Sequence, residues 1–248
     1  MPSFNDHHSN NIIKALVCGD SGGGKTGLLA TLANGGYNVR ILDFDNGLDV
    51  LGAYLTDEGK KRVFYETFKI NDKTAPDRAF DMIKKWKTSS EDLGDVSKTT
   101  SKDVIVLDSL SFYGQACIRA VCAMNGKDYD KVASFDRSYW GTAMKGCERV
   151  ISYLTSTEVP FNVIINTHVK FQENDQGVMK AYPNVIGSAL APIIGRYFNN
   201  IWRIDVKGDK RMIRTTSDSY MALKSSKPTV LKPEEEFDLA KLFDKILG

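Results

Sequence analysis

The stretch Gly19-Asp20-Ser21-Gly22-Gly23-Gly24-Lys25-Thr26 decides how the chain is read. It fits G-x-x-x-x-G-K-[ST], the spacing of a phosphate-binding loop. Upstream, Ile12 to Cys18 is a short apolar run of the kind that forms a buried strand. Downstream, Thr26 to Ala33 carries a helical pattern that Asn34-Gly35-Gly36 ends. Strand, glycine loop and helix start are what the chemistry needs. Glycines let backbone N–H groups turn inward around phosphate oxygens, and the helix start adds the positive end of its dipole. The motif assigns Gly19, Asp20, Ser21, Gly22, Gly23, Gly24, Lys25, Thr26 and Gly27 to the phosphates of a nucleotide. Lys25 is expected to reach the β- and γ-phosphates, and the Thr26 hydroxyl to ligate Mg2+.

The 248 residues give room for one large α/β domain or two small ones. Lys and Arg together number 33 and Asp and Glu 31, a net charge of +2. That balance excludes a highly basic nucleic-acid coat but leaves room for a local basic groove. No apolar run approaches the roughly 20 residues that span a bilayer. The polar tail Met1 to Asn11 lacks the apolar centre of a signal peptide, so a cytoplasmic chain with no membrane partner is expected. Cys18, Cys117, Cys122 and Cys147 show no C-x-x-C spacing and read as reduced core thiols.

Past the tail, residues 12–248 read as one unit, with no internal repeat and no linker long enough to divide it. Val39 to Phe44 is a second strand, ending in Asp43, Asp45 and the turn pair Asn46-Gly47. Asp49 to Leu55 is a short helix, and Arg62 to Phe68 alternates like an edge strand. A helix is expected over Pro76–Trp86, with Phe80, Ile83 and Trp86 at helical spacing. Thr88 to Lys102 reads as a solvated loop. Asp103 to Asp108 is a near-continuous β-branched run, as in a buried parallel strand. Helices are expected over Ser111–Met124, Trp140–Leu154 and Ala189–Phe198, and a buried strand over Phe161–His168, followed by a polar loop from Val169 to Pro183. Strands over Asn200–Val206, Arg211–Thr216 and Tyr220–Lys224 follow, the first two joined by the hairpin signal Lys207-Gly208-Asp209-Lys210. A capping helix over Pro233–Leu247 closes the chain. Strands alternating with helices, then hairpins, predict an α/β fold: a mostly parallel twisted sheet flanked by helices, with a C-terminal antiparallel extension.

Three segments after the glycine loop stand in a familiar order: Ile41 to Asp49, Val104 to Ser109, and Val163 to His168 with its long loop. With that loop they resemble the RecA-type ATPase core, shared by RecA recombinases, DnaB helicases and KaiC. The resemblance covers residues 12–225 and is closest to compact, bacteriophage-encoded RecA-like proteins of recombination and strand annealing. It implies ATP and Mg2+ as cofactors, single-stranded DNA as a partner, a homo-oligomeric ring or filament, and a single-strand-binding protein as a candidate associate. For a phage protein the compartment is the host cytoplasm.

The resemblance also distributes roles. Asp108, closing a buried strand before Ser109, matches the carboxylate that holds the Mg2+ shell. Asp45 stands where the family has a Glu that polarises the attacking water. It is one methylene shorter, and a misplacement of about 1 Å can cost roughly a hundredfold, so slow, DNA-stimulated hydrolysis is expected. Asp43 is its nearest rival. His168 stands at the polar sensor of the γ-phosphate. Lys224 sits where a finger reaches a neighbouring subunit's site, with Arg211 and Arg214 as other candidates, and Ser226 stands where some relatives carry an Arg two residues after the Lys. Tyr54 or Asp49 stands near the adenine position. Two segments are expected to face DNA: Asn125–Tyr139, with Lys127, Lys131, Phe135 and Arg137, and Val169–Pro183, with Lys170, Phe171 and Lys180. Cations interleaved with rings suit single strands, although both segments are formally neutral. A helicase-like motor or loader, a nucleotide-binding regulatory module and a small-molecule kinase are the competing readings.

Overall fold

The computed structural model describes residues 11–131, 136–174, 176–187 and 189–248. The N-terminal tail up to residue 10, and Phe135 in the first DNA-facing segment, lie outside them. Strand β1 (Lys14–Cys18) leads through the glycine loop into helix α1 (Lys25–Asn34). Strand β2 (Asn38–Asp43), short helices α2 (Leu51–Tyr54) and α3 (Asp57–Lys60), and strand β3 (Val63–Thr67) follow. Next come helix α4 (Ala75–Met82), the small strands β4 (Lys85–Lys87) and β5 (Asp92–Asp95), and strand β6 (Asp103–Asp108). Helices α5 (Leu110–Met124) and α6 (Arg137–Thr155) precede strand β7 (Asn162–Thr167) and the hairpin β8 (Val169–Glu173) and β9 (Met179–Pro183). Strands β10 (Asn200–Lys207), β11 (Lys210–Arg214) and β12 (Glu234–Glu236), then helix α7 (Leu239–Leu247), complete the order.

Among the described residues, eight strands form one sheet in the order β12-β11-β10-β1-β7-β6-β2-β3. The run from β10 to β3 is parallel, and β11 and β12 add antiparallel at one edge. This is the mostly parallel sheet with a C-terminal antiparallel extension that the sequence predicts. Successive side chains of a strand point to opposite faces, and β1 shows it. Ala15 and Val17 pack with α1, Trp202 and the Phe243 of α7, while Leu16 and Cys18 face the layer built from α4, α5 and α6. Both faces are covered, which is why β6 and β7 are buried along their whole length. In the edge strand Val63–Thr67, Phe64 packs against one core layer and Val63 against the other, while Tyr65 is exposed. All four cysteines are free and buried.

Several local expectations change. The Pro76–Trp86 helix stops at Met82, and Trp86, fully buried, sits in β4 instead. Thr88–Lys102 is not simply a solvated loop. It carries β5, paired with β4, and places Glu91 on the buried Arg40. Val169–Pro183 is the β8–β9 hairpin rather than a loop. Ala189–Phe198 holds only a 3-10 turn at Ile194–Tyr197. Tyr220–Lys224 makes a single bridge from Lys224 to Ile201 rather than a strand. Pro233–Leu247 divides into β12 and α7, with Asp238 capping the helix through the Lys241 N–H.

Candidate phosphate-binding site

The parallel strands end on one side of the sheet, and the candidate site forms there, where ligands of open α/β sheets bind. The glycine loop opens at Gly19, whose N–H donates to Thr167 O of β7. Gly22 and Gly24 take φ of 74° and 100°, a region that glycine enters without penalty. Gly24 caps α1 in that left-handed conformation with no side-chain hydrogen bond, and the first turn carries no acidic residue. The amides at the start of α1 are therefore left for an anion. Lys25 is buried and folds back, its Nζ donating to Gly19 O and Asp20 O at 2.9 Å each. Burial lowers its pKa, while the nearby carboxylates of Asp108, Asp45 and Asp20 pull it the other way.

Beneath the loop, Thr26 Oγ1 donates to Asp108 Oδ2 at 2.7 Å. Asp108 is 0% exposed, and burial, followed by the negative charge of Asp45, pushes its pKa up to about 6. Among the described residues its Oδ1 has no partner within hydrogen-bond geometry, nor have the amide atoms of the buried Asn166, which stands beside it at the end of β7. Orphaned buried polar atoms call for an occupant. No cluster of three or more His, Cys, Asp or Glu side chains forms an all-protein metal cage among the described residues. Mg2+ does not need one, because it keeps waters and binds through one or two carboxylates plus substrate phosphates. The buried Asp108 carboxylate, the adjacent Thr26 hydroxyl and the unengaged Oδ1 fit that donor set.

Asp45 and its rival are separated by their partners. Asp43 accepts from Asn46 N at 2.8 Å and from Thr67 Oγ1 at 3.0 Å, and burial raises its pKa. It locks the turn after β2 and lines a different cavity, shared with Asp49. Asp45 Oδ1 accepts from Ser109 N at 3.1 Å and Ser109 Oγ at 2.6 Å. It lines the cavity of about 250 Å3 over the glycine loop, together with Lys25, Thr26, Tyr54 and His168. His168 is half-buried, its ring edge-on to Phe112 at 5.9 Å, and its backbone N–H donates to Ser111 Oγ. Burial holds its pKa below the usual value, with Lys25 adding to the effect, so the imidazole is neutral near pH 7.

Other sequence candidates lie elsewhere. Lys224 stands away from this cavity, its Nζ donating to Phe198 O at 2.7 Å. Arg214 is engaged by Asp205 and Glu234. Arg211 lines the chain's own cavity. The hairpin puts Lys170 opposite Tyr182 and Lys180 opposite Gln172 on one face, while Phe171, opposite Ala181, takes the other. Phe171 is 61% exposed and borders a cavity of about 440 Å3 that reaches Gly19 and Asp20 of the glycine loop. Lys180 Nζ donates to Ser219 O. Lys131 pairs with Asp128, and Lys127 is exposed. Arg137 opens α6. Three residues at the site were not foreseen: Ser109, which holds Asp45, and Val50 and Phe237, which form part of the cavity wall. Ser109 follows Asp108 in sequence and so carried a positional signal, but nothing local marks Phe237.

The AAA domain family matches residues 11–226, and the chain belongs to it. With its glycine loop and its mostly parallel eight-stranded sheet, the chain is a P-loop protein of that ATPase family. Among solved structures, the RadB recombinase is similar at 16% identity and a TM-score of 0.43, over 82% of this chain and 79% of that one. No curated protein matches the sequence. Among the described residues, no helix is long and apolar enough to cross a membrane.

Proposed function

We propose that the protein binds and slowly hydrolyses Mg-ATP and acts on single-stranded DNA in recombination or strand annealing. The observation that carries the nucleotide part is the bond from Thr26 Oγ1 to Asp108 Oδ2 beneath an uncapped helix start. Residues distant in sequence meet where a phosphate-bound cation would sit. Thr26 and Asp108 would hold Mg2+, which when bound draws charge off the β- and γ-phosphates. Lys25 exchanges its bonds to Gly19 O and Asp20 O for phosphate oxygens. Asp45, fixed by Ser109, orients the attacking water and accepts its proton. Neutral His168 donates one hydrogen bond toward the γ-phosphate. It reports phosphate loss to the β8–β9 hairpin through its carbonyl, which accepts from Asn184 N at 2.7 Å.

The DNA part rests on the hairpin. Lys170 and Lys180 supply cations and Phe171 an exposed ring, beside a cavity that reaches the glycine loop. Lys127, Lys131 and Arg137 extend the surface less strongly. Residues 12–248 act as one unit, and copies assemble as a homo-oligomer in which Lys224, outside its own cavity, serves a neighbour. The resemblance to compact phage proteins supports a cytoplasmic, phage-encoded role. A low-turnover nucleotide switch is the second reading, favoured by the two hydrogen bonds that hold Asp45 back on Ser109.

The test is ATP turnover with and without single-stranded DNA, paired with annealing of complementary strands. Stimulated turnover and annealing that both vanish in Lys25→Ala support the proposal. Turnover indifferent to DNA, with no DNA retained in a binding assay, removes the DNA part and leaves the switch.

A further inference from the structure

We propose that Arg211 acts in cis, as a guanidinium clamp on the phosphates of a nucleoside triphosphate held by its own glycine loop, with Phe237 fixing it in place. The inference rests on the nucleotide reading above and assigns a residue that reading leaves out.

The register of the sheet edge sets the geometry. Strand β11 pairs with β12 as Arg214↔Glu234, Ile213↔Glu235 and Met212↔Glu236. One step further, the same antiparallel register faces Arg211 with Phe237. Both side chains then meet the glycine loop. A Cβ built on Gly24 would lie 2.9 Å from Phe237 Cζ and 3.1 Å from Arg211 Cδ and Nε. Gly24 is thus needed twice, for its φ of 100° and for this close approach.

The charges point the same way. Arg203 is paired with Asp205 and Asp218, Arg214 with Asp205 and Glu234, and Lys207 with Glu234. The side chain of Arg211, on the same edge, makes no hydrogen bond or ion pair among the described residues. It shares its cavity with Lys25, whose Nζ is held by Gly19 O and Asp20 O, with Asp45, and with the start of α1, so its guanidinium is an unused donor there that a phosphate can take up. A planar guanidinium grips phosphate oxygens two at a time, which a lysine cannot do.

The clamp is anchored from behind. Leu239 N donates to Thr31 Oγ1 at 2.9 Å, and Lys241 pairs with Glu236. Gly35 leaves room for Ala240, whose Cβ would otherwise be 2.4 Å away, so α7 sits directly on α1. Phe237 is therefore tied to the helix that the loop begins. It also lies beyond residue 226, where the family match stops.

The test measures binding of a fluorescent, slowly hydrolysed Mg-ATP analogue. Arg211→Ala should weaken it about tenfold or more, the scale of a lost hydrogen bond to a charged group. Arg211→Lys should fall between, and Phe237→Leu should weaken binding less than Arg211→Ala. The melting temperature of the nucleotide-free Arg211→Ala protein should match wild type, since no bond is lost. Excess Lys25→Ala chains, which carry Arg211 but no working loop, should not restore the affinity of Arg211→Ala. Wild-type affinity in Arg211→Ala, or affinity rescued by the added chains, overturns the cis assignment. Failure of the wild type itself to bind the analogue removes the underlying nucleotide reading, and is seen before any variant is made.

Discussion

Thr26 Oγ1 and Asp108 Oδ2 lie 2.7 Å apart across 82 positions of sequence. The bond ties the start of α1 to the end of β6, and Asp108 Oδ1 beside it has no hydrogen-bond partner among the described residues. A carboxylate with one oxygen engaged and the other unengaged, buried under the glycine loop, is what the proposed Mg2+ role requires of Asp108.

Asp108→Asn should therefore raise the Mg2+ concentration needed for half-maximal nucleotide binding by about tenfold or more, since the amide removes the charge that attracts the metal. Thr26→Ser keeps the hydroxyl and should stay near wild type. A Mg2+ titration at fixed nucleotide checks both, and equal midpoints for wild type and Asp108→Asn would count against the metal role.

Asp45→Ala should spare nucleotide binding and stop turnover. Ser109→Ala removes the 2.6 Å hydroxyl bond but leaves the 3.1 Å backbone bond, so turnover should fall less, by roughly tenfold. Calorimetry alongside steady-state ATPase rates separates binding from chemistry. Normal turnover in Asp45→Ala would hand the water to another group.

Arg40 is buried between Glu91 and Asp103, with bonds of 2.6–2.8 Å. Arg40→Ala strands two carboxylates and should cost about 3–5 kcal/mol, toward the lower figure because Glu91 retains some exposure. Urea unfolding measures it. A loss under about 1 kcal/mol would show that Glu91 simply swings into solvent.

Lys14 gives a pH signature. It is buried, its Nζ donating to Val159 O and Phe161 O, and burial lowers its pKa from 10.5 to about 7. Below pH 7 both the folded and unfolded chains carry the proton, and the full penalty of burying the charge remains. Between about 7 and 10.5 the unfolded chain keeps a proton that the native chain has shed, so this residue's contribution to stability rises with pH. Cys18 and Tyr37, both pushed up to about 12 by burial, act in the opposite direction. The informative quantity is thus wild-type stability minus that of Lys14→Met, in which their effects cancel. That difference should increase from pH 7 to 9.5, and a flat difference would show that the ammonium keeps its charge.

What was legible in the sequence was whatever a contiguous run encodes. The glycine loop, the β-branched run of β6 and the hairpin signal at Lys207–Lys210 each declare themselves within a few residues, and together they give the parallel sheet and its antiparallel edge. Trp86 misled because its spacing from Phe80 and Ile83 imitates a helix, while a three-residue strand is too short to show its own period. In β8 and β9 the alternation was present, but polar residues on both faces disguised it. At the candidate site, Asp43 and Asp45 look alike in sequence. Only Thr67 and Ser109, far along the chain, show which one is locked into a turn and which faces the cavity. Phe237 had no local signal, because its importance comes from strand register and from the seat of α7.

β1, among the first elements encoded, is flanked in the sheet by β7 and β10, both from the second half of the chain. A nascent chain therefore carries its glycine loop for about 150 residues with no strand on either side of the one that leads into it, and the closure of so long a loop is slow. The loop acquires its shape late. Fragments that stop before β7 should neither fold nor capture nucleotide, and synthesis of this protein leaves an apolar strand exposed for longer than its simple layered architecture suggests.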